Sequence, residues 1–479
     1  MSVALTVAHY PIAADGAVEL VVDEAHFRRV VLEGMLRARV SLDIATADFK
    51  AMLVPEPGRS GRSARSIVRI LADLAGPKIR LGELVGGQVE CRQGEEVRFV
   101  RGGVASAADE LVCTYERLLD ELAPGDRIML ADGTVSLIVE QVTAADARCR
   151  VVQPGTVRTR QGVNLPGVQI SLPALSDTDR NHAVWAAQAG VDYVSLSFVR
   201  APQEVLELKQ LLRRHGSHAR VVAKIEKPEA VHRMEEIVQA ADAVMVARGD
   251  MGVEIDIARV PVVQKQIVAA CRRHHKPVII ATQMLDSMQH ARQPTRAEAS
   301  DVANAILDGC DACMLSGETA VGEHPRAAVE MMNRIALATE PLLAEREPQG
   351  QEAVAIEDLH EVTRAVVHGV QFIARRLGAR LLVVATHSGA TALALSKQRT
   401  GLPILAVTDN QAALRQMCLY WGVTPLAGAP ARDSAKILAH ATAWGVEKGF
   451  LASGDRLIFV SGIGLAAAGH NMLVVHEIA

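Results

Sequence analysis

The chain alternates short apolar runs with segments of helical periodicity over much of its length. Each run is bounded by polar or turn-forming residues and has the length of a buried strand. Eight candidate strands follow this pattern, at 18–22, 40–45, 67–71, 193–198, 221–225, 243–247, 278–282 and 312–315. Because a helical crossover makes successive strands parallel, and eight such units close a barrel, the pattern predicts an α/β fold built on a (β/α)8 TIM barrel.

The alternation is interrupted between residues 81 and 164, a segment rich in Val, Gly and charged residues. Asp132 and Gly133 stand there between two runs of period 2, which is typical of a tight hairpin turn. We therefore expect a small β-barrel domain inserted after the third barrel strand. Insertion at that point places the domain over the rim where barrel enzymes carry their sites, so it can act as a lid.

A polar stretch beginning at residue 345 marks a linker, and the α/β pattern then resumes. After this linker, the pattern predicts strands at 381–385, 404–407 and 457–460, and helices at 391–397 and 411–419. The pattern divides the chain into a barrel domain (1–80 and 165–345), an inserted lid domain (81–164) and a doubly wound C-terminal domain (346–479).

The loop 386–391, THSGAT, follows a strand of the C-terminal domain and opens a helix. Backbone N–H groups and hydroxyls in such a loop can bind a phosphate group. An ordinary capped helix start explains the same residues equally well, so both interpretations stay open.

Composition narrows the range of functions. Hydrophobic residues make up 49% of the 479 residues and aromatic residues only 3%, an aliphatic bias that suits buried parallel strands. The net charge is −4 without a long basic run, so nucleic acid is not an expected partner. No apolar stretch has the length of a membrane span, and the N-terminus lacks the basic start of a signal peptide. We therefore expect no membrane partner and a cytoplasmic location.

Seven scattered cysteines are typical of reduced thiols in a cytosol. Cys310 and Cys313 form a CxxC pair. Small buried residues at the start of a strand explain this pair better than a redox or zinc site, because no second pair of ligands follows.

The segment 221–250 carries the strongest chemical signal. Lys224 and Glu226 lie at the end of one predicted strand, and Asp250 follows the next, so the three side chains should meet at one rim of the barrel. Two carboxylates can hold a divalent cation, and a lysine beside them can neutralise a phosphate or an enolate. A surface ion cluster is the alternative, although the placement of all three at strand ends favours a site.

Six further motifs accompany this segment in order along the chain: 73–80 (DLAGPKIR), 162–167 (GVNLPG), 196–200 (LSFVR), 281–288 (ATQMLDSM), 294–303 (PTRAEASDVA) and 314–321 (MLSGETAV). Together they resemble the pyruvate kinase family from about residue 71 to the C-terminus. The resemblance implies transfer of a phosphoryl group between phosphoenolpyruvate and ADP in glycolysis, giving pyruvate and ATP. It also implies a need for Mg²⁺ or Mn²⁺, a homotetramer, and a phosphorylated effector bound by the C-terminal domain in some members.

The resemblance also assigns roles to residues. Lys224 stabilises the transferring phosphoryl group and the enolate charge, and Glu226 and Asp250 hold the metal ion. The Gly249 backbone N–H and the Thr282 hydroxyl hold the substrate carboxylate.

Ser316, with Glu318, belongs to a proton relay or caps the helix that follows, and the two interpretations stay open. Arg80 faces the nucleotide phosphates, with an ion pair at a domain hinge as the alternative.

In the same family, a Leu and a Lys at the positions of Leu74 and Lys78 accompany independence from K⁺. A lysine ammonium can supply the positive charge of a bound K⁺. Asp73 belongs to the same monovalent-cation region. We therefore expect that K⁺ is not required.

The first 65 residues depart from the family pattern. On the best alignment Arg39 keeps a substrate-binding arginine, while Ser41 and Asp43 replace two K⁺ ligands. The segment 18–52 also resembles the opening of phospholipase-D-like proteins. Those proteins need an HxK motif, and the HxK of this chain, which ends at Lys276, lies far downstream, so we do not expect that activity.

An active pyruvate kinase is the leading hypothesis, and a catalytically impaired binding or regulatory protein of the same fold is the alternative. Gln161 favours the alternative because it stands where a nucleotide-binding lysine is usual, although Arg158 or Arg160 can compensate. The four residues Lys224, Glu226, Asp250 and Thr282 favour the enzyme.

Overall fold

The computed structural model describes residues 45–46, 49–52, 69–344, 359–426, 433–461 and 472–479. The predicted strand 18–22 and the predicted site residues Arg39, Ser41 and Asp43 lie outside the described residues.

The strands of the described part, numbered in chain order, are β1 (Ala45–Thr46), β2 (Phe49–Met52), β3 (Arg69–Leu74), β4 (Gln88–Cys91), β5 (Glu96–Val100), β6 (Glu110–Leu111), β7 (Arg127–Leu130), β8 (Val135–Val142), β9 (Asp146–Gln153), β10 (Gly155–Arg158), β11 (Val163–Asn164), β12 (Tyr193–Leu196), β13 (Arg220–Ile225), β14 (Ala243–Ala247), β15 (Val278–Ala281), β16 (Ala312–Cys313), β17 (Leu381–Ala385), β18 (Ile404–Val407), β19 (Val423–Leu426), β20 (Arg456–Ser461) and β21 (Met472–Glu477).

The α-helices of the same part are α1 (Leu118–Glu121), α2 (Asp177–Ala189), α3 (Pro202–Arg214), α4 (Pro228–His232), α5 (Met234–Ala240), α6 (Arg248–Glu254), α7 (Val260–Arg273), α8 (Arg296–Asp308), α9 (Gly317–Ala320), α10 (Pro325–Thr339), α11 (Pro341–Ala344), α12 (Glu361–Leu377), α13 (Ala390–Lys397), α14 (Gln411–Gln416) and α15 (Ser434–Glu447). None of the described helices is long and apolar enough to cross a membrane.

The largest sheet has the strand order β1-β2-β3-β12-β13-β14-β15-β16. Every neighbouring pair from β3 to β16 is parallel. All residues of β12, β14 and β15 are buried, as expected for parallel strands covered by helices. Six of the eight predicted strands are therefore present in this sheet, each within three residues of its predicted bounds.

The start of this sheet differs from the prediction. Of the strand predicted at 40–45, only Ala45 is described, and it lies in β1. This strand pairs antiparallel with β2, and β2 pairs antiparallel with β3. Only two residues separate β1 from β2, and so short a connection permits antiparallel pairing alone, because parallel neighbours need a longer crossover.

The β-rich segment between β3 and β12 forms two further sheets, of order β11-β7-β8-β9-β5-β6 and β10-β4. Its interior is apolar, with Ile128, Leu130 and Leu137 fully buried. The turn between β7 and β8 contains Asp132 and Gly133, both in left-handed backbone (φ 53° and 85°), so the predicted hairpin turn is confirmed.

The C-terminal sheet has the order β19-β18-β17-β20-β21, parallel except for the edge strand β21. The strands predicted in this part are confirmed. The apolar core on one side of this sheet is continuous with that of the large sheet. Tyr193 of β12 lies at this junction and donates a hydrogen bond of 2.6 Å to the carbonyl of Gln416. Arg415 pairs with Asp192 at 2.6 Å beside this contact.

Candidate active site

Charged side chains meet at the carboxyl ends of neighbouring parallel strands. Lys224 lies near the end of β13 and Glu226 follows it. The Lys224 ammonium lies 2.9 Å from Glu226 Oε1 and 3.5 Å from Asp73 Oδ1, and it donates a hydrogen bond of 2.7 Å to Ser197 Oγ. Asp73 stands near the end of β3 and Ser197 follows β12, so three adjacent strands supply one cluster. Asp250 follows β14 in the first turn of α6.

Burial and the neighbouring charges together shift the pKa values of Lys224 and Glu226. Lys224 is 6% exposed and Glu226 is fully buried. Burial alone lowers the pKa of Lys224, but the charges of Glu226, Asp73 and Asp250 outweigh it, and the net pKa is raised. Burial raises the pKa of Glu226, with Asp250 adding to the shift and Lys224 opposing it. Lys224 is therefore a cation at neutral pH, in a place where charges interact strongly.

Glu226 and Asp250 fit a divalent cation. Oε2 of Glu226 accepts the Phe198 backbone N–H at 2.9 Å, whereas the buried Oε1 accepts no hydrogen bond of good geometry from the described residues, although the Lys224 ammonium lies beside it. Such an oxygen is an open ligand position. Among the described residues, no group of three or more acidic, His or Cys side chains is placed so that it could hold a metal ion by itself. The two carboxylates can thus supply only part of a coordination shell, and the rest is left to substrate and water, as Mg²⁺ prefers.

The backbone turns sharply where β15 ends. Thr282 and Gln283 have φ values of 64° and 54°, a region that is rare for residues other than glycine. The Thr282 hydroxyl donates to the Ala281 carbonyl at 2.7 Å and accepts the Gly249 N–H at 2.9 Å. A Cβ at position 249 would lie 3.4 Å from this hydroxyl. The two groups predicted to hold the substrate carboxylate therefore face each other across the ends of β14 and β15.

Arg248 holds this turn in place. Its guanidinium donates to the carbonyls of Thr282 (2.8 Å) and Gln283 (3.2 Å) and to the Asp301 carboxylate of α8 (2.7 and 2.9 Å). Strained backbone persists only where its surroundings fix it, and these contacts do so. The sequence interpretation assigned no role to Arg248 or to Ser197. Both stand at strand ends beside predicted site residues, and that position is the signal that could have identified them.

A cavity of about 650 Å³ lies between these strand ends and the inserted β-rich segment, and residues of both line it. Arg80 and Gln161, the predicted nucleotide-binding residues, both line this cavity. Arg80 donates to the carbonyl of Arg160 at 3.0 Å, and none of the ion pairs of the described residues includes it. Oε1 of Gln161 accepts the Arg158 N–H at 2.7 Å, so this side chain also closes a turn.

Three members of the predicted monovalent-cation region are described. Asp73 accepts the Ser195 hydroxyl at 2.5 Å and lies beside Lys224. Leu74 is buried, whereas Lys78 is exposed and lines the cavity.

Ser316 precedes α9, but its side chain does not cap this helix. Its hydroxyl is buried without a hydrogen-bond partner among the described residues. The Glu318 carboxylate instead accepts the backbone N–H groups of Ser316 (2.6 Å) and Leu285 (2.9 Å). The helix-cap interpretation is therefore wrong for this side chain, and the proton relay stays a prediction.

The loop 386–391 satisfies much of its own backbone. Thr386 Oγ1 accepts the Gly389 N–H at 3.1 Å, and Ser388 Oγ accepts that of Ala390 at 3.4 Å. The Ser388 carbonyl accepts a hydrogen bond of 3.1 Å from Arg220 at the start of β13. A phosphate would have to replace the two internal bonds, so the phosphate cradle and the capped helix start both remain open.

The CxxC pair forms no disulfide. The sulfur atoms of Cys310 and Cys313 are 3.7 Å apart, too far for a disulfide, and all seven cysteines are free thiols. Cys310 follows α8 and is buried, as the structural interpretation of this pair predicted, whereas Cys313 lies in β16 and is only half-buried.

The comparisons with known proteins agree along the chain. The family model described as pyruvate kinase, barrel domain, matches residues 22–329, and the model described as pyruvate kinase, alpha/beta domain, matches residues 364–476. The first match begins well before residue 71, so the family resemblance extends through most of the segment that also resembles phospholipase-D-like proteins.

Two curated pyruvate kinases are similar to this chain over nearly their whole length. The enzyme of Corynebacterium glutamicum is 42% identical over 462 residues, which cover 93% of this chain and 94% of that protein. The enzyme of Mycobacterium tuberculosis is 39% identical over 453 residues, with 94% of each chain covered. A crystal structure of a pyruvate kinase from Cryptosporidium parvum aligns with a TM-score of 0.80 and 31% identity, covering 86% of this chain and 84% of that one.

These matches confirm the predicted fold class and the predicted enzyme class. The chain belongs to the pyruvate kinase family and is a phosphotransferase of that family.

Proposed function

We propose that the protein transfers a phosphoryl group from phosphoenolpyruvate to ADP, giving pyruvate and ATP in glycolysis. The observation that carries this proposal is the buried ammonium of Lys224 at the carboxyl ends of the strands, 2.9 Å from Glu226 Oε1, an oxygen that accepts no hydrogen bond of good geometry from the described residues. Phosphoryl transfer needs little covalent chemistry from the protein and depends on placing positive charge around the transferring oxygens.

The predicted site residues that the structure describes have the following roles in the proposed reaction. Lys224 neutralises charge on the phosphoryl group and on the enolate that remains. Glu226 and Asp250 hold Mg²⁺ or Mn²⁺, which supplies further charge neutralisation when bound. Gly249 and Thr282 exchange their mutual hydrogen bond for bonds to the substrate carboxylate. The buried, unpaired hydroxyl of Ser316 suits a group that passes a proton.

The nucleotide occupies the 650 Å³ cavity, with Arg80 and Gln161 facing its phosphates. The segment 81–164 forms a lid domain over the barrel domain (1–80 and 165–345), and the C-terminal domain (346–479) is regulatory. Arg39 binds the substrate phosphate in this scheme. The loop 386–391 takes a phosphorylated effector. We further propose a cytoplasmic homotetramer, which light scattering after size exclusion tests by giving four times the mass of one chain.

We propose that the monovalent-cation region, including Ser41, Asp43, Asp73, Leu74 and Lys78, works without K⁺. The exposed ammonium of Lys78 at the cavity wall supports this because it can supply the charge of a bound K⁺.

One assay tests the function and the K⁺ proposal together. Pyruvate formation is followed with phosphoenolpyruvate, ADP and Mg²⁺, while KCl is exchanged for a large organic cation at constant ionic strength. We expect full turnover without K⁺. Lys78→Glu should weaken activity, with partial rescue by K⁺.

The other outcomes of this assay are informative. A strong rise with K⁺ in the unmodified protein would contradict the ammonium substitution. No turnover under any condition, with nucleotide binding retained, would establish the binding or regulatory alternative.

A further inference from the structure

A second buried ion pair stands beside the catalytic cluster, and the proposed mechanism does not use it. Lys227 follows β13, and Glu254 ends α6. Lys227 Nζ donates a hydrogen bond of 2.7 Å to Glu254 Oε1, and the two side chains are 8% and 1% exposed. Both residues line the same cavity as Asp250. A pair so deeply buried carries a desolvation cost, which makes a role other than stability worth seeking.

Glu254 also binds the inserted segment. Its Oε1 accepts a second hydrogen bond, of 3.1 Å, from Asn164 Nδ2 in β11. Asn164 pairs with Met129 of β7, so this contact reaches the six-stranded sheet directly. The other carboxylate oxygen of Glu254 is buried and has no hydrogen-bond partner among the described residues.

The turn of the inserted segment also lies close to the end of α6. At Gly133, in the turn between β7 and β8, a Cβ would lie 3.7 Å from the side chain of Val253. Val253 and Glu254 are the last two residues of α6, while Gly249 and Asp250 belong to its first turn. The short helix α6 therefore contacts the inserted segment at its C-terminal end. At its N-terminal end it carries Asp250, which is proposed to hold the metal ion, and Gly249, whose N–H is proposed to bind the substrate carboxylate.

We propose that Glu254 is a positioning residue for the reaction, which fixes the nucleotide-side wall of the cavity through Asn164 and is itself held in place by Lys227. The proposal rests on the pyruvate kinase reaction proposed above. It predicts that nucleotide binding weakens when the hydrogen bond between Asn164 and Glu254 is removed from either side. Glu226 on the metal side keeps its own contacts with Lys224 and Phe198.

The test is a double-mutant cycle on the full-length protein. Asn164→Ala removes the donor on the inserted segment. Lys227→Met/Glu254→Leu replaces the ion pair with apolar side chains of similar volume, a change that leaves no unpaired buried charge and should keep the melting temperature close to that of the parent protein. A third protein combines all three substitutions.

The expected result is a rise in KM for ADP of about tenfold in each of the three proteins, the size of one lost hydrogen bond to a charged group. The effects should not multiply in the combined protein, because both changes break the same connection. KM for phosphoenolpyruvate and kcat should change less than twofold.

Three outcomes would overturn the proposal. An unchanged KM for ADP in Asn164→Ala would show that the bond positions nothing. Multiplying effects would mean that Asn164 and the ion pair contact the nucleotide independently. An equal loss in all kinetic constants with a lowered melting temperature would show a merely structural role. The turnover of the unmodified protein, measured in parallel, separates each of these from a failure of the proposed reaction.

Discussion

The ammonium of Lys224 is kept charged by Glu226, Asp73 and Asp250 in a site almost closed to water. We therefore expect Lys224→Met to lower kcat by roughly 10³-fold or more, because a donor lost from a preorganised site is not replaced by solvent. The measurement is coupled turnover together with circular dichroism. Lys209→Met is the matched control. Lys209 also forms an ion pair of 2.7 Å, with Asp242, but this pair lies away from the carboxyl ends of the strands that carry the site. Near-normal turnover in Lys224→Met would remove this residue from the mechanism.

His275 shows how burial makes stability depend on pH. Burial, with the positive charges of Lys397, His368 and His274, lowers the pKa of His275 from 6.5 to about 4, and both ring nitrogens are buried without a hydrogen bond to any described residue. Between these two pKa values the unfolded chain binds a proton at His275 that the folded protein does not. Stability is therefore lost as the pH falls from 6.5 towards 4.

We expect His275→Asn to reduce this loss. Asparagine tolerates the left-handed backbone of this position (φ 51°) and does not titrate. The difference in melting temperature between pH 7 and pH 5 should shrink by a few degrees relative to the parent protein. His215→Asn, a change at an exposed histidine, serves as the control. An unchanged difference in His275→Asn would show that another group dominates the acid sensitivity.

At the scale of elements, the turn after β15 depends on one arginine. Arg248→Lys keeps the charge but loses the planar fork that serves two carbonyls and Asp301 together. We expect kcat/KM for phosphoenolpyruvate to fall roughly 10- to 100-fold through displacement of Thr282, with little change in KM for ADP. Arg213→Lys, at an exposed arginine of α3, is the control. Kinetic constants within twofold of those of the parent protein would mean that the turn after β15 keeps its conformation without the Arg248 guanidinium.

The sequence predicted those elements whose pattern is local. The apolar runs of β12 to β15 and the Asp132-Gly133 turn were identified because burial and turn geometry leave a direct mark on residue type. The placement of Lys224 and Glu226 at the same rim as Asp250, which follows the next strand, was predicted from parallel strand order. The left-handed backbone of Thr282 could not be predicted, since threonine usually avoids it and the contacts that hold it come from Arg248 and Gly249 of another element, α6. The antiparallel β1–β2 pair was also missed, because a strand pattern does not specify the direction of its partner.

At the scale of the whole molecule, the C-terminal sheet is joined to the large sheet by buried charges as well as by apolar contacts. Asp311, just before β16, has a fully buried side chain that accepts hydrogen bonds from Lys397 (2.6 Å), the last residue of α13, and from Arg399 (2.9 Å), two residues later. Burial alone raises the pKa of Asp311, but these two cations more than reverse the shift and lower it. Arg399 also stacks on Trp421, 4.8 Å from the ring centroid. The polar contacts are directional, so they fix one relative placement of the two sheets where apolar packing alone would allow sliding.

Replacing Asp311 tests this arrangement. Asp311→Asn keeps the shape of the side chain but leaves Lys397 and Arg399 buried without a counter-charge, which costs about 3–5 kcal/mol when one partner of a buried pair is removed. We expect the parent protein to unfold in one calorimetric transition and Asp311→Asn to unfold in two, with a melting temperature lower by several degrees, as the C-terminal part unfolds first. Glu330→Gln, which breaks an exposed ion pair with Arg326 on α10, should leave the melting temperature unchanged. A single transition at the parent temperature in Asp311→Asn would mean that the apolar contacts around Tyr193 hold the two sheets together without the buried charges.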